Sequence, residues 1–215
     1  MATPERSHAE RSESDRRRIW QLVAFALAAM VVAAVWIGVL VKGAGGGPNP
    51  TGGSAEIYPK ETIPAPGNRN LTSAAAAAGC VVRSFPSFGR EHTTAHVRYK
   101  TNPPTSGPHN PVPAEDGIYD APPPVEKLVH SLEHGRIVFQ YVPGAPPKIR
   151  GQLKALVNED PRHVILTPNS TQMPFEVAAT AWRHYIGCAR VMPAAFDALR
   201  DFKIAYRDQA PEHVP

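Results

Sequence analysis

The sequence predicts an α+β fold: a single small domain with a mixed sheet containing one parallel βαβ crossover, standing behind an N-terminal transmembrane helix. Three observations predict it. Near the start, Ile19 to Val41 runs 23 residues without a charge. From Val125 onward, apolar spacing alternates between the helical and the strand period. The chain is 215 residues long, enough for one domain of ordinary size plus appendages.

Residues 1–18 are polar and end in Arg16-Arg17-Arg18, as a cytoplasmic tail would. The run 19–41 exceeds the roughly 20 residues needed to cross a hydrocarbon core. A cleaved signal would have a shorter apolar region and a small-residue cleavage site, and Lys42-Gly43-Ala44 makes a poor one. Arginines ahead of the span place the N-terminus in the cytoplasm. The expected location is therefore the cell membrane, crossed once, with the lipid bilayer as partner through 19–41 and the C-terminal domain extracytoplasmic. Residues 42–70 read as a Gly/Pro-rich linker, flexible over Gly43–Ser54 and proline-punctuated over 55–70, where it can lie across the folded body. Beyond Lys42 the net charge is only about +2. With no basic run there, nucleic acid is not an expected partner.

The domain is expected over 71–209, followed by a short tail, 210–215. Thr72 or Ser73 caps a short alanine helix over 74–78, stopped by Gly79. Val97–Lys100 reads as a short strand. The segment Thr101–Pro113 (TNPPTSGPHNPVP) draws on an unusual supply of proline, 24 in the chain. Its stiffness points to a loop of fixed shape with a function. Val125, Leu128, Val129 and Leu132 share one helical face, and Gly135 is the stop. Arg136–Val142 is a buried strand, Ile149 to Val157 an amphipathic helix, and His163–Thr167 a second strand. Strand, helix, strand implies a right-handed crossover and a parallel pair. Phe175–Trp182 returns as a further strand running into Cys188, and Phe196, Leu199, Phe202 and Tyr206 mark a final helix.

Only two cysteines occur, Cys80 and Cys188. Outside the cytoplasm, an even count predicts a disulfide between them. Ala77-Ala78-Gly79-Cys80 looks like a lipidation box but lies too far beyond the apolar run. A thiolate ligand for a soft metal is the other reading.

Five of the nine histidines fall between positions 92 and 134: His92, His96, His109, His130 and His134. His92/His96 and His130/His134 share i, i+4 spacing, which on a helix aligns two side chains. Imidazole is a common ligand for zinc or copper. We therefore nominate His92, His109, His130 and His134 as metal ligands, with Glu133 as ligand or orienter. Met173 could be a soft extra donor favouring copper, although a Met before Pro is more often packing. His130-Ser131-Leu132-Glu133-His134 also matches the H-x-x-E-H pattern of inverted zinc peptidases, in which the Glu is the base; Glu176 or Glu212 would then supply the further ligand. Ser106 lacks the G-x-S-x-G setting of a hydrolase nucleophile. Glu115, Asp116 and Asp120 read as solvated loop charges or caps.

Pro103-Pro104-Thr105-Ser106-Gly107-Pro108-His109, Gly117-Ile118-Tyr119 and Val129-His130-Ser131-Leu132-Glu133-His134-Gly135 together resemble the motifs of a bacterial single-pass membrane family. That family is known only as a domain of unknown function with a PPTSGPH…HSLEHG signature. The likeness runs from about Cys80 to Ala205 and takes in Thr180-Ala181-Trp182. It implies an envelope-facing domain behind an anchor and assigns no catalytic residues. The expected function is capture, delivery or sensing of a transition metal, copper or zinc, at the membrane. The alternatives are a metal-dependent hydrolase built on H-x-x-E-H, and a metal-free module that binds an envelope protein.

Overall fold

The structure, a computed structural model, describes residues 57–67, 70–212 and 214. The expected cytoplasmic tail, the apolar run 19–41 and most of the linker lie outside the described residues. Among the described residues, no helix is long and apolar enough to cross a membrane.

In chain order, helix α1 (Leu71–Ala77) leads into β1 (Cys80–Ser84), and a long irregular segment follows to β2 (Gly117–Ile118). Then come α2 (Val125–Glu133), β3 (Ile137–Tyr141), α3 (Pro147–Asn158), β4 (Val164–Pro168), β5 (Val177–Ala181), β6 (His184–Cys188) and α4 (Ala195–Tyr206). The strands form one six-stranded sheet in the order β1-β6-β5-β3-β4-β2. β3 and β4 are parallel, as the strand-helix-strand pattern predicts, and β2 runs parallel to β4. The remaining pairs are antiparallel.

The two-residue period of a strand divides this sheet into two chemically different faces. On one, Ile137, Phe139, Val164, Leu166, Val177 and Ile186 pack in a single core with apolar residues of α1, α3 and α4. On the other, Val138 and Ile165 pack under Leu128, Val129 and Leu132 of α2. Much of the rest of that second face is polar. Gln140, Thr180 and Asn169 are buried there, with Asn169 Nδ2 donating to Gln140 Oε1 at 2.7 Å. The segment 101–113 covers this side as a packed arm: Thr105 and Ser106 are buried, and Arg183 N donates to the Thr105 carbonyl at 2.8 Å.

Three local expectations change and a fourth holds. The first helix begins earlier than Thr72, because Asn70 is the cap and its side chain accepts from Ser73 N at 3.0 Å. Val97–Lys100 is irregular rather than a strand. The Val97 N–H is taken by the Glu126 carboxylate at 3.1 Å instead of by a neighbouring strand. The stretch 175–188 is two strands, not one: a two-residue turn at Trp182-Arg183 folds β6 back on β5. Arg183 adopts φ 68° there, a conformation that sequence would assign to Gly or Asn. Residues 57–67, placed in the linker, do lie across the body. Tyr58 is buried and its hydroxyl donates to the Tyr119 carbonyl at 2.7 Å.

Cys80 and Cys188 are directly opposed in the β1–β6 register and form the expected disulfide. The bridge spans 108 residues of sequence, a loop whose closure in the unfolded chain is worth up to about 4–5 kcal/mol in the chain-entropy model. A Cys80→Ser/Cys188→Ser variant should therefore lose about 2–5 kcal/mol of unfolding free energy. Equilibrium urea unfolding checks this; an unchanged midpoint and slope would show that the bridge contributes nothing.

Candidate metal centre

Helix α2 supplies one side of the site. Leu128, Val129 and Leu132 anchor it to the sheet, each burial stabilising by about 1.5–3 kcal/mol. This seating leaves His130, Glu133 and His134 to meet the arm. Gly135 ends the helix at φ 82°, and a Cβ there would lie 2.8 Å from Asp208 Cα. Both conformation and space reserve the position for glycine.

The arm supplies the other side. Ser131 Oγ accepts from Ala114 N at 3.0 Å, and Asn110 N donates to the Glu126 carbonyl at 3.2 Å, tying the arm to α2. His92 and His109 form an isolated parallel bridge, with Thr93 N donating to His109 O at 2.7 Å and His109 N to Glu91 O at 3.0 Å. Three imidazoles thereby converge. Ring centroids are 5.1 Å apart for His92–His109, 5.0 Å for His92–His130 and 4.8 Å for His109–His130. One donor atom from each of His92, His109, His130 and Glu133 lies within 4.8 Å of all the others. His109 and Glu133 are fully buried, whereas His92 stands exposed at the rim.

Hydrogen bonding fixes which nitrogens face inward. His109 Nδ1 is 2.8 Å from the Gly107 carbonyl, and His130 Nδ1 is 2.6 Å from the Asn110 carbonyl. A carbonyl can only accept, so each Nδ1 carries a proton, and in the neutral ring each Nε2 keeps a lone pair. Orientation of a histidine by an Nδ1–H bond to a carbonyl is the usual outer support of a metal ligand. His109 Nε2 lies 3.0 Å from Glu133 Oε2, yet out of line for an N–H donor, so among the described residues this buried nitrogen has no hydrogen-bond partner. A lone pair facing a carboxylate oxygen is repulsive; a cation between them makes both atoms ligands.

Electrostatics favour the same state. Burial, reinforced by the imidazoles of His134, His109 and His92, pushes His130 below its ordinary pKa against the opposing effect of the Asn110 carbonyl. Burial and the Arg136 charge lower His134 in the same way. Arg90 Nε pairs with Glu133 Oε1, which orients that carboxylate and leaves Oε2 toward the imidazoles. Zinc held tetrahedrally at about 2.0–2.1 Å separates its donors by about 3.4 Å. The present donors lie within 4.8 Å of one another, and His109 Nε2 and Glu133 Oε2, at 3.0 Å, would have to part slightly while the others draw in.

Not every nominated residue joins. His134 falls outside the four-residue group: its Nε2 is 2.9 Å from His130 Nε2 and 3.2 Å from Glu212 Oε2. His96 is far more exposed and turns to Glu126, 2.9 Å away; residues 92–96 are not helical, so their spacing aligns nothing. Met173 lines a separate depression with Val142 and Val191. Glu176 Oε2 accepts from Val191 N at 2.6 Å. Ser106 Oγ accepts from Phe88 N at 3.1 Å, and Asp116 accepts from His163 N at 3.1 Å. Sequence reasoning missed Arg90 and the two orienting carbonyls. Gly107 lies inside the Pro103–His109 motif, but no periodicity shows where its carbonyl, the Asn110 carbonyl or the Arg90 side chain would point, because all three sit on irregular backbone.

Fold and site define a class: an α+β domain with a mixed sheet, a disulfide at its edge, and a buried His/Glu cluster beneath a proline-rich arm. The chain belongs to the family described as a protein of unknown function, DUF3105, whose profile matches residues 91–214. That span takes in the arm, α2 and every histidine of the cluster. No curated protein and no solved structure matches the chain.

Gly135 tests how firmly α2 is held over the sheet. Gly135→Ala should cost about 1–3 kcal/mol, since it combines a strained φ with a backbone clash. Gly79 also has positive φ, 63°, but open space around it. Gly79→Ala should therefore cost less, about 1 kcal/mol. Equal losses for the two variants in urea unfolding would contradict the packing described.

Proposed function

We propose that this chain is a membrane-anchored, extracytoplasmic domain that binds one transition-metal ion through His92, His109, His130 and Glu133, for capture, delivery or sensing. The observation that carries the reading is the buried His109 Nε2, unpartnered and 3.0 Å from a buried carboxylate oxygen. Three imidazoles and a carboxylate suit Zn(II) or Cu(II); Cu(I) prefers thiolate or thioether donors. The disulfide accords with an oxidising compartment, and the uncharged run 19–41 behind Arg16-Arg17-Arg18 accords with an anchor. An envelope protein that gives or takes the ion is the partner such a domain needs.

Holding an ion fits the site better than hydrolysis. Catalytic zinc keeps a coordination position for water, whereas four protein donors close the set. An H-x-x-E-H peptidase also needs its Glu as base, and Glu133 is engaged by Arg90 and faces His109.

Elemental analysis of the full chain in detergent, loaded with Zn(II) or Cu(II) and dialysed, tests the proposal. About one equivalent should remain on the wild type and on His96→Ala. His109→Ala and Glu133→Ala should each lose affinity by at least about 100-fold and emerge stripped. A wild type that retains no metal at any loading overturns the reading in favour of a metal-free envelope module whose histidines brace the arm.

A further inference from the structure

His130 belongs to two donor sets. Besides the buried group, a second lies beside it among the described residues: His130, His134 and Glu212, again with donor atoms within 4.8 Å of one another. Since His130 Nδ1 is committed to the Asn110 carbonyl, the same Nε2 must serve both sets. One nitrogen lone pair binds one ion, so the sets are alternative positions for a single ion rather than a two-metal site.

Apart from His92, which is exposed at the rim, the sets differ in exposure. In the inner one the His109 and Glu133 side chains are 0% and 1% exposed; in the outer one His134 and Glu212 are 13% and 41% exposed. Arg90 treats the two carboxylates alike. Its Nε pairs with Glu133 Oε1 and its Nη2 with Glu212 Oε1 at 3.2 Å, leaving Oε2 of each toward a histidine, 3.0 Å from His109 Nε2 and 3.2 Å from His134 Nε2. Glu212 sits on the C-terminal tail, which is held at the end of α2 by Glu212 N donating to Glu133 O at 3.2 Å.

Resting on the metal-binding reading above, we infer that His130 is a transfer ligand. A divalent ion is first taken by His134 and Glu212, and then passes to His92, His109 and Glu133 without leaving His130. Release runs the same route in reverse. The transfer exchanges one carboxylate for another and one imidazole for two, so the ion gains a neutral ligand and the charge around it is the same in both positions. The Nε2–Nε2 distance of 2.9 Å between His130 and His134 keeps the two positions within one ligand exchange of each other.

The test is the rate of loading and release in the full chain. Trp182 stands 6.1 Å from His109 by ring centroids, and a Trp20→Phe/Trp36→Phe background leaves it as the sole tryptophan. Cu(II) quenches a nearby indole, so stopped-flow fluorescence with glycine-buffered Cu(II), followed by release to EDTA, reads both directions. His134→Ala and Glu212→Gln should slow both loading and release at least tenfold while the endpoint stays at one ion. Glu212→Gln changes a half-exposed tail residue and keeps the fold out of question. Unchanged rates in both variants overturn the transfer route and leave the metal site standing. Loss of the bound ion in His134→Ala also overturns it, by making His134 a ligand of the inner set. If the wild type takes up no Cu(II) or Zn(II), the metal-binding reading itself fails, and the route with it.

Discussion

A buried imidazole nitrogen and a buried carboxylate oxygen, 3.0 Å apart without an aligned hydrogen bond, set the terms for the rest of this molecule. Removing a carboxylate from water is costly unless it is paired. Arg90 meets part of that cost for Glu133 through Oε1, while Oε2 is left against His109. The Gly107 carbonyl, by holding the Nδ1 proton, prevents the His109 ring from turning its other nitrogen inward. The tension is therefore built in by the arm's backbone and is not a matter of a side chain that could rotate away. On the metal-binding proposal, a cation held by both atoms relieves it.

The two faces of the sheet divide the labour. The face under α1, α3 and α4 is mostly apolar and holds the larger core. The opposite face carries one short helix, a polar network and an arm whose shape comes from proline and from backbone bonds to its neighbours. Buried polar groups occur on both sides, with Arg200, Asp201 and Lys203 on α4, but the converging imidazoles lie on the second face. Departures from local consistency concentrate at functional sites, and here they gather around the three converging imidazoles.

Much of this was legible in the sequence where periodicity is strong. The β3-α3-β4 crossover, the face of α2, its stop at Gly135 and the pairing of Cys80 with Cys188 all follow from spacing and residue type. The crowding of histidines pointed to a cluster, and His92, His109, His130 and Glu133 do meet. Elements decided by long-range pairing were not legible. β1 is short and mostly exposed, β2 has only two residues, and the β5–β6 turn uses Trp182-Arg183 where no turn residue advertises itself. His134 was grouped with the inner ligands because i, i+4 spacing makes it a neighbour of His130. Spacing cannot reveal that Glu212, far along the chain, draws it outward.

The most direct measurement of the central claim is X-ray absorption at the zinc edge of the Zn(II)-loaded full chain. The account predicts nearest scatterers of nitrogen and oxygen at about 2.0–2.1 Å, with the outer-ring signature of three imidazoles. Sulfur at about 2.3 Å, or oxygen neighbours with no imidazole pattern, would contradict it.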